Sequence, residues 1–295
     1  MNFEPIDLKH KEIYEKYTAK RYRNSEASFL NMYMWRKVTN AHVAVVSDML
    51  VLRVYFGGMY RFVMPFGDKA NIKSCVKSLY EYCNSNGYPL EIIGANSEFV
   101  REIQDAFKFA SFEDRNVQDY VYLSEKLATV SGKKLHSKKN HVNKFKSMYD
   151  YKFVQLNMGH IQDCINKTKV WMDKKYNGDT EKYSAELDTV MCLFDNYEKF
   201  DLFGGAIYVD GKLVAYTVGE SLSDDTALVH IEKADTSYHG AFAIINNEFA
   251  KLISDRFVYI NREEDMGLEG LRKAKESYRP EFLTEKIKCI FDMNH

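Results

Sequence analysis

Three stretches of the chain gather residue types able to do chemistry. The first is YINREEDMGLEGLRKAKESYRPEFL (259–283). An Asn261-Arg262-Glu263-Glu264-Asp265 loop follows a strand-like segment, and the spacing predicts a helix from about Leu268. On that helix Leu268, Leu271 and Tyr278 share one face, with Lys275 in its middle. An ammonium on an apolar face must snorkel to water, pair with a buried acid or face a site. The second stretch is VHIEKADTSYHGAFAIINNEF (229–249), a strand ending near Ala234 and a helix opening near Gly240. A helix start presents unpaired N–H groups that suit an anion, which makes Tyr238, His239 and Gly240 candidate binding residues. Alternation along the strand sets His230 and Glu232 on one face and Ile231 and Lys233 on the other. Glu232 or His230 could act as a general base, or Glu232 could simply pair with a lysine and order the strand end. The third is GKKLHSKKNHVNKFK (132–146), with six lysines and no acid. Leu135, Val142, Phe145 and Tyr149 form its apolar stripe, and Lys138 projects within that arc rather than away from it. The lysines suit a phosphate-rich ligand such as tRNA or a nucleotide, or merely a solvated face. His136 and His141 are five apart and miss the i,i+4 spacing of a helical metal pair, so no metal site is expected.

The elements that must hold these residues can be read from periodicity. Helices are expected at 6–22 and 26–37. HVAVV (42–46), LVLRVYF (50–56) and YRFVMPF (60–66) make a three-strand meander. A helix at 69–84 carries Ile72, Val76, Leu79 and Cys83 on one stripe, and PLEIIGA (89–95) is a buried strand. The same order returns in strands at 202–210, 212–220 and 226–234, a helix at 240–254 striped by Phe242, Ile245, Phe249 and Leu252, and a strand at 257–261. Asp210-Gly211 marks a tight hairpin turn. Between the two runs lie DYVYL (119–123), a helix at about 134–149, a strand at 151–156 and helices near 160–176 and 180–198. The expected boundary is near residue 125. That gives an N-terminal domain of 1–125 and a C-terminal domain of 126–295 that includes the 134–149 connector helix. The class is α+β with mixed, largely antiparallel sheets, and the element order matches the GNAT acyltransferase fold in two copies.

Composition bounds the rest. The chain has 295 residues, long enough for two small domains with packed cores. Lys+Arg 41 against Asp+Glu 42 excludes a polycation of the histone kind, though not a local basic patch. Five cysteines with no CxxC read as buried thiols of a reducing, cytoplasmic protein. The opening MNFEPIDLKHKEIYEKY has no apolar core of a leader, and no stretch nears the ~20 apolar residues of a membrane span.

KKLHSKKNHVNKF, HIEKADTSYHGAF and INREEDMGLEGLRKAKESYRP resemble soluble relatives of the C-terminal domain of phosphatidylglycerol lysyltransferase, over nearly the whole chain. The resemblance implies two tandem GNAT-like domains, an arrangement shared with the FemABX peptidyltransferases, and aminoacyl-tRNA as the donor. It also implies an active-site lysine at Lys275, carried on Lys275-Glu276-Ser277-Tyr278-Arg279-Pro280. GNAT acetyltransferases hold the acetyl-CoA pyrophosphate on an Arg/Gln-x-x-Gly-x-Gly/Ala loop. Here that place reads Ser237-Tyr238-His239-Gly240-Ala241, with one glycine retained.

The expected function is therefore an aminoacyl- or acyltransferase acting on an amine, a hydroxyl, a lipid headgroup or a peptide. Glu232 would be the base and Lys275 the oxyanion-stabilising cation, with Lys275 pointing into a cleft between the halves. Lys138, Lys233, Tyr238, His239, Gly240, Arg262 and Tyr278 are the expected binding residues. The donor is aminoacyl-tRNA or an acyl-CoA. The alternatives are a CoA-dependent N-acetyltransferase and a non-catalytic RNA- or nucleotide-binding protein built on the basic helix.

Overall fold

The computed structural model describes residues 1–292. The chain divides into two compact units. One is Met1–Gln118 together with the segment from Thr284 onward; the other is Asp119–Leu283.

The first unit opens with β1 (Glu4–Pro5) and the short helices α1 (Lys11–Thr18), α2 (Phe29–Met34) and α3 (Arg36–Thr39). The meander follows as β2 (His42–Val46), β3 (Met49–Phe56) and β4 (Met59–Val63), with a short β5 (Phe66–Gly67) beside β3. Then come α4 (Ile72–Ser85), β6 (Glu91–Ala95), α5 (Ser97–Ile103) and β7 (Phe109–Glu113). The predicted stripe of α4 is the buried one: Ile72, Val76, Leu79 and Cys83 all face the core. The helix expected over 6–22 is shorter, because Ala19 and Lys20 turn left-handed and end α1.

The second unit runs β8 (Tyr120–Leu123), α6 (Ser124–Thr129), α7 (His136–Met148), β9 (Tyr151–Gln155) and the paired helices α8 (Met158–Tyr176) and α9 (Thr180–Asp195). The second meander is β10 (Leu202–Val209), β11 (Lys212–Ser221) and β12 (Thr226–Ala234). It is followed by α10 (Ala241–Ile253), β13 (Tyr259–Asn261), α11 (Glu269–Glu276) and β14 (Phe282–Leu283). Positive φ at both central residues shapes the hairpin turns Ser47-Asp48, Gly57-Gly58 and Asp210-Gly211. That backbone matches the twist of the flanking strands, which is why these short polar or glycine pairs join meander strands.

The last described strand, β15 (Ile287–Phe291), explains where the units divide. It lies between β6 and β7 in the first unit's sheet, antiparallel to both, in the order β1-β2-β3-β4-β6-β15-β7. The second unit's sheet has the order β9-β10-β11-β12-β13-β8-β14. Position by position the two sheets correspond. The one parallel junction of each is β4·β6 or β12·β13, and β15 and β8 hold equivalent places. The boundary expected at residue 125 thus differs from the observed division. Tyr120, Val121 and Tyr122 are buried in the second sheet, and Cys289 and Phe291 in the first. A run of four or five apolar residues states that it is a strand but not which sheet edge it completes.

In the second unit Tyr120, Tyr122, Phe203, Phe249, Phe257, Ile260 and Tyr278 build one core cluster, and Val142, Phe145, Ile207, Val214, Ile244 and Ile245 another. Of the expected α10 stripe Ile245 and Phe249 are buried, but Phe242 and Leu252 are exposed, and the buried face extends over Ala243, Ile244, Asn246, Asn247 and Ala250. The small residues let α6 approach, and the Asn247 amide donates to the Leu127 and Ala128 carbonyls. No helix among the described residues is long and apolar enough to cross a membrane.

Candidate active site

In the second unit β13 pairs in parallel with the first part of β12, ending opposite Leu228 while β12 runs on to Ala234, and the charged residues of two predicted stretches meet beyond the end of β13. Glu232, near the end of β12, accepts from Arg262 Nη2 at 2.6 Å, and Asn246 Nδ2 of α10 reaches its other oxygen at 3.4 Å. Both members of the ion pair have side chains only 11% exposed. The Arg262 guanidinium lies 5.0 Å from the centre of the Tyr278 ring and 5.6 Å from that of Tyr122. Its Nη1 is buried without a hydrogen-bond partner, so these rings are its neighbours of opposite electrostatic sign. Burial opposes the charge on Arg262, but Glu232 and the two tyrosines outweigh it and raise the pKa. Lys138 of α7 places its Nζ 4.2 Å from the Tyr278 ring centre. Burial lowers the Lys138 pKa, as does the neighbouring Arg262, with Glu232 in partial opposition.

Lys275 lies inward, as the helical spacing predicted, and is only 8% exposed. Its ammonium donates to the carbonyls of Arg262 at 2.6 Å, Glu263 at 3.0 Å and Glu264 at 2.5 Å. Three carbonyls converging on one nitrogen require three N–H groups, which the ammonium supplies. Burial and Arg262 nevertheless bring its pKa down to about 8. Lys275 therefore organises the Arg262 loop. Tyr122 Oη fastens the end of α11 by donating to the Lys275 carbonyl at 2.9 Å.

Several side chains and amides hold the loop. Glu263 adopts φ +57°, an unusual backbone for a non-glycine, and its carboxylate lies 3.5 Å from His230 Nδ1. His230 Nε2 faces Glu220 at 3.0 Å, and the imidazole is fully enclosed. Burial disfavours the imidazolium, but the two carboxylates outweigh it and hold the His230 pKa up to about 9. Asp265 accepts from Arg272, from Tyr120 Oη and from the Gly267 amide; Arg272 first, then these, hold its carboxyl well below the usual range.

The strand alternation expected for β12 is interrupted. Val218 pairs with Ile231 but Gly219 pairs with Val229, so His230 is an extra residue, a β-bulge. Lys233 is drawn away from Glu232 to the Glu186 carboxylate of α9, which also takes Lys175 at 2.7 Å. Burial opposes the Glu186 charge, but Lys233 and the other donors bring its pKa down to about 2. Tyr238, His239 and Gly240 form a separate group at the start of α10. His239 Nε2 is 3.3 Å from His141 Nδ1, Tyr238 packs on Tyr149, and the His239 amide donates to Tyr149 Oη at 3.3 Å. Gly240 has φ +84°, and a Cβ there would lie 2.7 Å from the His141 carbonyl of α7. The start of α10 is thus closely covered by α7.

Of the expected site residues, Glu232, Arg262, Tyr278 and Lys138 come together and Lys275 supports them. Sequence reasoning missed Asn246 and Tyr122. Asn246 carried a signal: an Asn-Asn pair inside an otherwise apolar helix is costly unless each amide finds a partner.

The family described as phosphatidylglycerol lysyltransferase, C-terminal, matches residues 18–290. The chain belongs to this family. A conserved protein of unknown function from Bacteroides thetaiotaomicron VPI-5482 is 35% identical, with a TM-score of 0.90 over 99% of this chain and 100% of that one. The L-PGS structure from Bacillus licheniformis shares the fold at 14% identity, with a TM-score of 0.65 over 99% of this chain and 94% of that one. FemX (8% identity, TM-score 0.60, 98% and 97% covered) and a tandem GNAT protein of the clavulanic acid pathway (9%, 0.51, 98% and 98%) share it too. The two units are GNAT-like domains in tandem. An uncharacterised protein of Mycoplasmoides gallisepticum is 24% identical over 169 residues, 57% of this chain. That match spans about half of the relative's own length, 54%.

Proposed function

We propose that this family member is an acyltransferase that moves an aminoacyl group from aminoacyl-tRNA to an amine or hydroxyl acceptor, at the Glu232–Arg262–Lys138 cluster. The observation that carries the reading is the convergence of Arg262, Glu232 and the half-buried Lys138 around the Tyr278 ring, in a chain of this family. Attack on an ester carbonyl develops an oxyanion, and a cation held in a low-dielectric setting stabilises it without reorganising. Arg262 fills that role in this reading, while Lys275 fixes the loop that aims Arg262. Lys133, Lys134 and Lys139, exposed on and just before α7, suit the donor's phosphates. The acceptor, a lipid headgroup, a peptide or a small molecule, is left to experiment. Acyl-CoA is the less favoured donor, because the start of α10 is packed under α7 and one of its leading amides is engaged by Tyr149.

The test is transfer of labelled amino acid from a panel of aminoacyl-tRNAs to total lipid and peptide acceptors, run beside acetyl-CoA with an amine panel. Transfer from at least one tRNA, lost in Arg262→Met, is expected. Acetyl-CoA turnover without any tRNA-dependent transfer would replace the reading with that of an N-acetyltransferase.

A further inference from the structure

The groups at the site that could move a proton are nearly all engaged. Glu232 has one oxygen on Arg262 and the other on Asn246. His230 has a carboxylate at each ring nitrogen. Lys275 spends its N–H groups on three carbonyls. Tyr122 Oη donates to a carbonyl, and burial pushes the Tyr278 phenol up to about 12, so it keeps its proton near neutrality. Lys138 differs. Its Nζ rests on the Tyr278 ring, and among the described residues no carboxylate lies within ion-pair distance of it.

Resting on the acyl-transfer reading, we propose that Lys138 is the proton-accepting residue of the site. Its neutral amine takes the proton from the acceptor's amine or hydroxyl as that group attacks the donor's ester carbonyl. The new bond joins the acceptor's nitrogen or oxygen to the acyl carbon. The ester C–O bond breaks, and the proton passes from Lys138 to the departing hydroxyl oxygen, which leaves the lysine neutral again. The surroundings favour this cycle. Burial and Arg262, beyond β13, oppose the ammonium and outweigh Glu232 on β12, while the Tyr278 ring face attracts the charged form that the cycle passes through; His141 lies one turn along α7. An arginine in the same place would keep the charge but could not give up its proton.

Two measurements test the proposal. The first labels the wild-type protein with trace acetic anhydride across pH 6–11 and reads each lysine by peptide mass spectrometry. Lys138 is expected to titrate below the exposed Lys134 and Lys139 of the same segment, which serve as internal references. Titration together with or above them overturns the proposal. The second compares variants in the transfer assay. Lys138→Met and Lys138→Arg are both expected to lose about 10²–10⁴-fold in kcat, with part of the loss in Lys138→Met restored by added methylamine. An active Lys138→Arg shows that only the charge matters and overturns the proton role while transfer stands. Absence of transfer in the wild-type protein refutes the transfer reading itself, and the role of Lys138 with it.

Discussion

Replacing Lys275 by methionine keeps the aliphatic stem and removes the ammonium. The Arg262, Glu263 and Glu264 carbonyls then lose the donor that Nζ presents to each. A buried acceptor left without its partner costs about 1–3 kcal/mol. The Glu263 carbonyl keeps the Tyr120 amide at 3.1 Å, so taking the low end for the Arg262 and Glu264 carbonyls gives a loss of roughly 2 kcal/mol. Glu263, already at φ +57°, is then held by that amide without the ammonium. Urea unfolding followed by hydrogen exchange of the 259–268 peptide reads both effects. The expected result is a lower midpoint with an unchanged m-value, and fast exchange through the loop even where the protein remains folded. A larger transverse probe belongs to the same experiment: Arg262, now loosely held, should become reactive to phenylglyoxal. If Lys275→Met stays within about 1 kcal/mol of wild type and its loop exchanges no faster, the three-carbonyl cage is not what holds the loop, and the organising role given to Lys275 is refuted.

The enclosed His230 gives a pH signature. A pKa raised from 6.5 to about 9 corresponds to about 3 kcal/mol of stability, fully present below pH 6.5 and lost as pH rises through 9. The difference in stability between wild type and His230→Gln should shrink over that window, and a difference independent of pH would show the imidazole to be neutral. Ending the chain before β15 exposes the facing edges of β6 and β7 and removes buried Cys289 and Phe291. At about 1.5–3 kcal/mol for each large buried side chain, before the ladder hydrogen bonds are counted, limited proteolysis should cut the first unit while the second resists. Gly240→Ala forces a Cβ toward the His141 carbonyl at positive φ, so a loss of about 1–3 kcal/mol is expected by thermal melting. An unshifted melt would mean that α7 yields easily there.

Much of the fold was legible because most of its elements announce themselves locally. The α4 stripe, both meanders and their turns lie where period and turn chemistry placed them. What escaped was long-range. Nothing within TEKIKCIF says that it joins the first sheet 190 or so residues away along the chain. Half of the α10 stripe holds, Ile245 and Phe249 being in the core, but Phe242 and Leu252 are exposed because the buried face turns toward Ala243, Asn247 and Ala250, where α6 approaches. The His230 bulge likewise has no local mark, since it arises from how β12 meets β11. At the site, Lys275 was found by its position on an apolar face, but its role depends on where three carbonyls point, and that is a property of the loop. Lys233, expected among the binding residues, pairs instead with Glu186 of α9, a partner that nothing near it in the sequence marks.

The correspondence between the two sheets also bears on why the chemistry is assigned to the second unit. In each sheet the single parallel junction carries an arginine–glutamate pair. In the first unit Arg61 of β4 meets Glu91 of β6 at 3.0 Å, and Glu91 is the first residue of its strand. That pair joins the middle of β4 to the amino end of β6, and Arg61 is further engaged by the Phe56 carbonyl and ring. In the second unit Glu232 stands two residues before the end of β12, and Arg262 follows the last residue of β13. Here the pair lies at the carboxyl ends. Parallel strands release their following loops in the same direction, here 235–240 leading to α10 and 262–268 leading to α11. The helices and loops reached this way supply Asn246, Lys275 and Tyr278, while α7 adds Lys138. Carboxyl ends of parallel strands favour ligand sites for this reason, because side chains from several elements can converge there without breaking the sheet. The Arg61–Glu91 pair is instead tied to its own strands and hairpin. An Arg61→Met, Glu91→Met double variant should therefore alter the stability of the first unit and leave transfer unchanged, whereas the matched Glu232→Met, Arg262→Met variant should abolish transfer. Equal losses of transfer from the two would place a needed group in the first unit and contradict the assignment.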